Sequence, residues 1–156
     1  MAPTFYGGLG NTFSYGNFTL NIFFQFKKQK AFNLLRFSAV TGYRGNAPVD
    51  LLDRWQQSGD TKSIQKASGG FGSGVDTGAL QQDSNATVSD ASFIRLRNIS
   101  LNYKIPIQSN SLDINVYAQG QNLLTFTNYK GPDPEHPSYG LLPPLRQMTL
   151  GMQITF

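Results

Sequence analysis

No cysteine occurs in the 156 residues, which excludes disulfides, Cys-ligated zinc and thiol catalysis. Histidine is nearly as scarce. His136 is the only one, so no Ser/His/Asp arrangement can be assembled with any specificity. Charge is sparse as well, at 14% of residues against about 25% in a typical soluble domain. The formal charge of +4 and pI near 9.4 invite a polyanion partner. The basic residues are scattered, however, and Lys27, Lys28 and Lys30 form the one cluster, so the basic face or stripe that nucleic acid requires is missing. No apolar run approaches the ~18 residues of a membrane-spanning helix. No charged segment followed by an apolar one opens the chain, so no signal peptide is expected. Gly69-Gly70-Phe71-Gly72-Ser73-Gly74 lacks the Lys-Ser/Thr of a phosphate-binding loop and reads as irregular chain, as does the whole Gly/Ser-rich stretch 66–78. No enzyme and no cofactor is expected.

What is abundant is aromatic, glycine and uncharged polar residues: 12 Phe, 7 Tyr and 16 Gly, beside many Asn, Gln, Ser and Thr. This mixture suits strands with one apolar and one wet face. Five segments show it. The first runs over 6–15 and the second over 18–29, joined by the turn-like Gly16-Asn17. In the second, Phe18, Leu20, Ile22, Phe24 and Phe26 alternate with Thr19, Asn21, Gln25 and Lys27, with Phe23 the exception. The third runs over 92–105. Its phase flips: Ile99, Leu101, Tyr103 and Ile105 share a face, but Ile94 and Leu96 fall out of step and Arg95 and Arg97 fall on the apolar side. A bulge near Arg97 would account for the flip, as would a strand end already above the membrane, where phase matters less. The fourth runs over 112–123. The fifth runs over 146–156, where Met148, Leu150, Met152, Ile154 and Phe156 alternate with Gln147, Thr149, Gly151, Gln153 and Thr155.

The connections alternate in length: about two residues, then 30–91, then 106–111, then 124–145. Outer-membrane barrels have this rhythm, with tight turns on one side of the membrane and long loops on the other. Twelve residues at about 3.3 Å each reach about 40 Å; tilted by about 40° they cross about 30 Å, the thickness of the hydrocarbon. The expected fold is therefore all-β, an antiparallel meander in a transmembrane β-barrel with long extracellular loops. Tyr6, Tyr15, Tyr43, Tyr103 and Tyr129 fall near strand ends, where interfacial aromatic girdles would put them, the alternative being simple loop or core packing.

In the first long loop, Pro48 to Trp55 could form a short helical turn with Asp50 as N-cap. Trp55 beside Arg54 could stack on a sugar or anchor a partner protein, or could simply pack its own loop. In the second, Asp133, Glu135 and His136 lie in a segment with three prolines. They could ligate a hard cation, or form a rigid turn with solvated charges; no metal site is assigned.

Several stretches resemble the C-terminal end of SusC/RagA-family TonB-linked transporters. They are Phe5-Tyr6-Gly7-Gly8-Leu9-Gly10-Asn11-Thr12-Phe13, Arg54-Trp55-Gln56 with Gly59-Asp60, Ser92 to Leu101, and Gly120-Gln121-Asn122-Leu123-Leu124-Thr125-Phe126-Thr127-Asn128-Tyr129-Lys130-Gly131 followed by Asp133-Pro134-Glu135. They keep the family's order along nearly the whole chain; Ser58 stands where the family often has Pro. The resemblance implies that 1–156 is the C-terminal part of a 22-stranded barrel, its last five strands, with the plug domain and earlier strands lying outside the chain and Met1 a start placed on an internal segment. It implies import of oligosaccharides or peptides across the bacterial outer membrane, a SusD-like lipoprotein lid, energy from TonB, and contact with outer-membrane lipid and the barrel-assembly machinery. Leu150, Met152, Ile154 and Phe156 would form the assembly signal, and Arg54, Trp55, Tyr129, Asp133 and Glu135 are the candidate substrate or lid contacts. The alternative is a structural or adhesive outer-membrane β domain.

Overall fold

A computed structural model describes residues 1–37, 42, 46–68, 73–108, 112–138 and 141–156. Tyr43, residues 69–72 of the glycine-rich run and Ser111 lie outside them. The main sheet comprises β1 (Phe5–Tyr15), β2 (Phe18–Lys28), β5 (Phe93–Ile105), β6 (Asp113–Thr127) and β7 (Gln147–Thr155), in the spatial order β1-β2-β5-β6-β7. Every neighbouring pair is antiparallel, so the sheet is the expected meander. The strands run from 9 to 15 residues, well beyond the ~5–6 of a soluble sheet.

Directly paired residues share a face, and the register sorts the side chains into two sets. One row across the sheet is Thr12, Asn21, Ser100, Gln119 and Thr149; the next, on the opposite face, is Phe13, Leu20, Leu101, Ala118 and Leu150. The polar face continues through Asn98, Asn102, Asn115, Gln121, Gln147 and Gln153, and the apolar face through Leu9, Ile22, Phe24, Phe26, Ile99, Val116, Met148, Met152 and Ile154. Phe23 belongs to the polar face. It lies across glycine backbone, for a Cβ on Gly8 would stand 2.6 Å from its ring. The large side chain thus occupies space that the facing strand leaves empty. Gly16 takes φ +55° in the two-residue β1–β2 turn, a conformation open to glycine at little cost.

The bulge is where the phase flip places it. β2 pairs Phe24 with Leu96 and Phe23 with Asn98, leaving Arg97 as the extra residue. On the other side β6 pairs Leu124 with Leu96 and Gln121 with Asn98, so Asn122 and Leu123 are looped out opposite Arg97, and Asn122 has φ +52°. The bulge turns Arg95 onto the polar face beside Gln25 and Thr125. It also carries β6 beyond the expected end at Leu123: after the two looped-out residues alternation resumes, with Leu124 and Phe126 on the apolar face.

Neither face of the sheet is covered by a second layer among the described residues. The buried apolar residues Ala31, Ile64, Ala91, Phe93, Leu96 and Tyr129 gather at the long-loop end and in the loops, while Leu9, Phe13, Met148, Leu150 and Phe156 stand open. A continuous apolar surface of this kind marks contact with lipid or with another chain.

The long β2–β5 connection is more ordered than its sequence suggests. β3 (Lys30–Phe32) pairs with β4 (Val88–Asp90) and prolongs the hairpin above the sheet. α1 (Leu34–Phe37) and α2 (Ser73–Gln82) follow. The helix α2 corrects the expectation of irregular chain over 66–78. Two glycines and a weakly amphipathic sequence hide it, but its C-terminal end is held from outside. Arg36 donates to the Gln82 carbonyl at 3.1 Å and ion-pairs with Asp83, where a cation is favoured. The expected helical turn is a 3-10 segment, Val49–Asp53. Its N-cap is Pro48 rather than Asp50, which sits within the first turn and makes no side-chain cap bond.

Candidate functional site: the loop platform and the polar wall

The polar face and the loops above it form the candidate site. On the wall, Thr12 Oγ1 donates to Asn21 Oδ1 at 2.7 Å, and Asn21 Nδ2 donates to Ser100 Oγ at 3.1 Å. A cleft of about 740 Å³ opens over this ladder, lined by Thr12, Asn21, Phe23, Asn98, Ser100 and Gln119. Its walls are mostly amides and hydroxyls, with Phe23, Ile22, Ile99 and two glycines among them, and carry no ionisable group. Such a surface offers donors and acceptors to neutral polar groups and no fixed charge.

At the long-loop end the wall changes character. Arg95, with a side chain 1% exposed, donates Nη2 to Asp133 at 2.5 Å, Nη1 to Glu135 at 2.9 Å and Nε to Thr125 Oγ1 at 3.0 Å. Arg97 donates Nη2 to Glu135 at 2.6 Å, Nε to Gln25 Oε1 at 2.5 Å and Nη1 to Asn122 Oδ1 at 3.1 Å. Two guanidinium groups from one strand therefore grip two carboxylates of the β6–β7 loop. Asp133 also closes a local turn, with its Oδ1 accepting from the Glu135 and His136 amides at 2.8 and 3.2 Å. Buried charges persist only when paired and hydrogen-bonded, and here the fork geometry of Arg meets both conditions.

The two long loops are joined to each other. Leu34 N–H donates to the Lys130 carbonyl at 3.2 Å, Gln29 Nε2 donates to the Pro134 carbonyl at 2.5 Å, and the Tyr129 hydroxyl donates to the Phe32 carbonyl. The ring of Tyr129 packs with Ala31 and Ala91. Burial, with the Asp133 carboxylate as the lesser cause, raises the Tyr129 pKa above the ordinary phenol range.

The sequence-level candidates thus fall into two groups. Tyr129, Asp133 and Glu135 come together in the β6–β7 loop, and their side chains are engaged in holding it. Arg54 and Trp55 lie in the other loop and share no hydrogen bond or ion pair with that group among the described residues. Arg54 forms a parallel bridge with Ile64, and Trp55 N–H donates to the Ile64 carbonyl at 2.8 Å. Both side chains are half-buried, and the Lys66 ammonium stands 5.9 Å from the Trp55 ring centroid. Asp60 closes the turn that follows. Its carboxylate accepts from the Gln56 and Gln57 amides at 2.9 and 3.0 Å, and those bonds lower its pKa. A shallow depression of about 490 Å³ lies beside Trp55, bordered by Lys62, Gln65 and Gln81.

Gln29 is not singled out by the sequence, and Arg95 and Arg97 mark the bulge there without being named as site residues. The usable signal was the pair of arginines falling out of phase on a strand whose neighbour leads into a loop with two carboxylates. Among the tyrosines, Tyr15 and Tyr103 lie on the apolar face at the short-turn end, where Phe18 stacks on Tyr103 at 4.4 Å. Tyr6 faces the polar side beside Lys27 and Tyr129 is in the loop, so Phe5, Phe26 and Phe126 supply the apolar-face aromatics at the other rim. His136 is exposed, and no group of three or more metal-ligating side chains occurs among the described residues. No helix of the described residues is long and apolar enough to cross a membrane, which says nothing of strands.

No family model matches the chain. TonB-dependent receptor P3 of Formosa agariphila is 27% identical over 177 aligned residues, covering 99% of this chain and 16% of that protein. TonB-dependent receptor P26 of the same organism is 28% identical, covering 99% and 17%. The chain therefore spans 16–17% of the length of these curated relatives. Among solved structures, the RagAB peptide importer in its open-open state aligns with a TM-score of 0.76 at 28% identity, covering 99% of this chain and 17% of that one. The closed-closed state gives 0.77 at 25%. A two-faced antiparallel sheet, long loops on one rim and short turns on the other, and relatives aligned over 99% of the residues all agree: along its length the chain is similar to a stretch of TonB-dependent receptors and, in fold, to part of the RagAB peptide importer.

Proposed function

We propose that this chain forms the C-terminal part of the wall of an active outer-membrane importer of oligosaccharides or peptides. The importer draws energy through TonB and works with a SusD-like surface lipoprotein. The observation that carries this reading is the sheet itself: one face apolar and open, the other a continuous ladder of amides and hydroxyls beneath an ordered loop platform. That combination suits a wall between lipid and an aqueous passage. It is supported by similarity to the RagAB peptide importer.

In this reading the importer is not an enzyme. Tyr129, Asp133 and Glu135 act by shaping the β6–β7 loop, and Arg54 and Trp55 are the side chains offered to cargo or lid. Leu150, Met152, Ile154 and Phe156 present an alternating apolar edge to lipid and to the barrel-assembly machinery. The test is uptake of fluorescent oligosaccharide and peptide pools by cells carrying the intact receptor, cells lacking it, and cells with TonB inactivated. Uptake of one pool should vanish in both altered strains and return with the intact gene. Equal uptake of both pools in all three strains would reject the importer.

A further inference from the structure

On the apolar face, at the long-loop rim, lies a groove of about 490 Å³ bordered by Phe5, Phe26, Ile94 and Phe126, with Lys28 and Asp90 at its mouth. Lys28 closes β2 on this face, paired with Phe5, and Lys30 opens β3 just above. Both lysines are exposed, and neither enters an ion pair with a described residue. Asp90 stands beside them, its carboxylate held by the Ser92 amide at 2.8 Å. The Ser92 hydrogen bonds, and after them the two ammonium groups, keep Asp90 below its ordinary pKa, so it stays ionised. The cluster then carries one excess positive charge.

Height matters here. From Phe18 to Lys28, β2 has 11 residues. At about 3.3 Å each and a tilt of about 40°, these lift Lys28 about 25 Å above the short-turn rim, the height of a barrel's apolar band. Lys28 and Lys30 thus fall where hydrocarbon gives way to headgroups, and the aromatic groove falls just beneath them.

We propose that this groove is a binding site for a phosphate-bearing lipid of the outer leaflet: Lys28 and Lys30 take the phosphate, and Phe5, Phe26, Ile94 and Phe126 take the first part of an acyl chain. The assignment rests on the outer-membrane reading above. Charge complementarity selects an anionic headgroup, and continuity of the groove with the apolar wall selects a lipid over a soluble phosphate.

The experiment uses the intact receptor in detergent and native mass spectrometry, with diphosphorylated lipid A, its dephosphorylated form and inorganic phosphate as probes. Replacing both lysines (K28A with K30A) should weaken diphosphorylated lipid binding about ten- to thirtyfold, at about 1 kcal/mol for each lysine near a headgroup. The dephosphorylated lipid should bind equally weakly to both proteins, and K104A, at the opposite rim, should bind as the parent does. Equal affinity of parent and double variant, or inorganic phosphate binding as tightly as the lipid, would overturn the site while leaving the barrel intact. A receptor missing from the outer-membrane fraction would overturn both.

Discussion

Arg95→Ala is expected to release residues 128–138 from the wall, at a cost of about 3–5 kcal/mol to that local structure. The substitution strands Asp133, whose side chain is 5% exposed, and Glu135, 15% exposed, without their main partner. Breaking a buried pair on one side costs more than the pair contributes, because the remaining charge must be solvated or protonated. Glu135 keeps Arg97, but Asp133 has no second cation within ion-pair distance among the described residues. The loss should also loosen the first long loop, since Leu34 and Gln29 bond to Lys130 and Pro134 of the released segment. Hydrogen exchange on the intact receptor should show new rapid exchange at 128–138 and a smaller rise at 29–34, with the β2–β5 ladder unchanged. Adding Asp133→Asn should recover part of the protection by removing the stranded charge. Unchanged exchange in the single variant would show that the ion pairs do not hold the loop.

A second large effect is expected when residues 1–156 are expressed alone. β1 and β7 each present an unpaired edge, and the apolar face exposes Leu9, Phe13, Met148, Leu150 and Met152. Open edges and a continuous apolar face are two separate routes to self-association. The polypeptide should elute in the void volume without detergent and as a discrete species with it. A monomer that unfolds cooperatively in plain buffer would show that the face is covered in a way the sheet does not reveal.

Much of this architecture is legible in the residues, and the losses have physical causes. Alternation is a direct readout of a two-faced strand, so β2 and β7 are visible from Phe18-Thr19-Leu20-Asn21-Ile22 and from Met148 to Phe156. The bulge is visible because Arg95 and Arg97 break phase. The same bulge hides the end of β6: Leu123 and Leu124 in succession look like a strand terminus, whereas Leu123 is looped out and the ladder continues to Thr127. α2 is invisible because Gly74 and Gly78 are poor helix formers, and its stabilising cation, Arg36, lies far away in the chain. The charge clamp is missed for the same reason. Asp133 and Glu135 read as solvated until the fold brings Arg95, 38 residues away, onto them.

In the proposed importer, β2 crosses the membrane with Leu20, Ile22 and Phe24 toward lipid and Thr19, Asn21 and Phe23 toward the barrel interior. No cysteine of this chain competes for the label, and any elsewhere in the intact receptor are replaced first. Single cysteines at 19–24 of the intact receptor, spin-labelled in bilayers, report collision with oxygen, which partitions into lipid, and with a polar nickel complex, which does not. Oxygen accessibility should alternate with a period of two and peak at 20, 22 and 24. A flat profile, or peaks at 19, 21 and 23, would contradict the account.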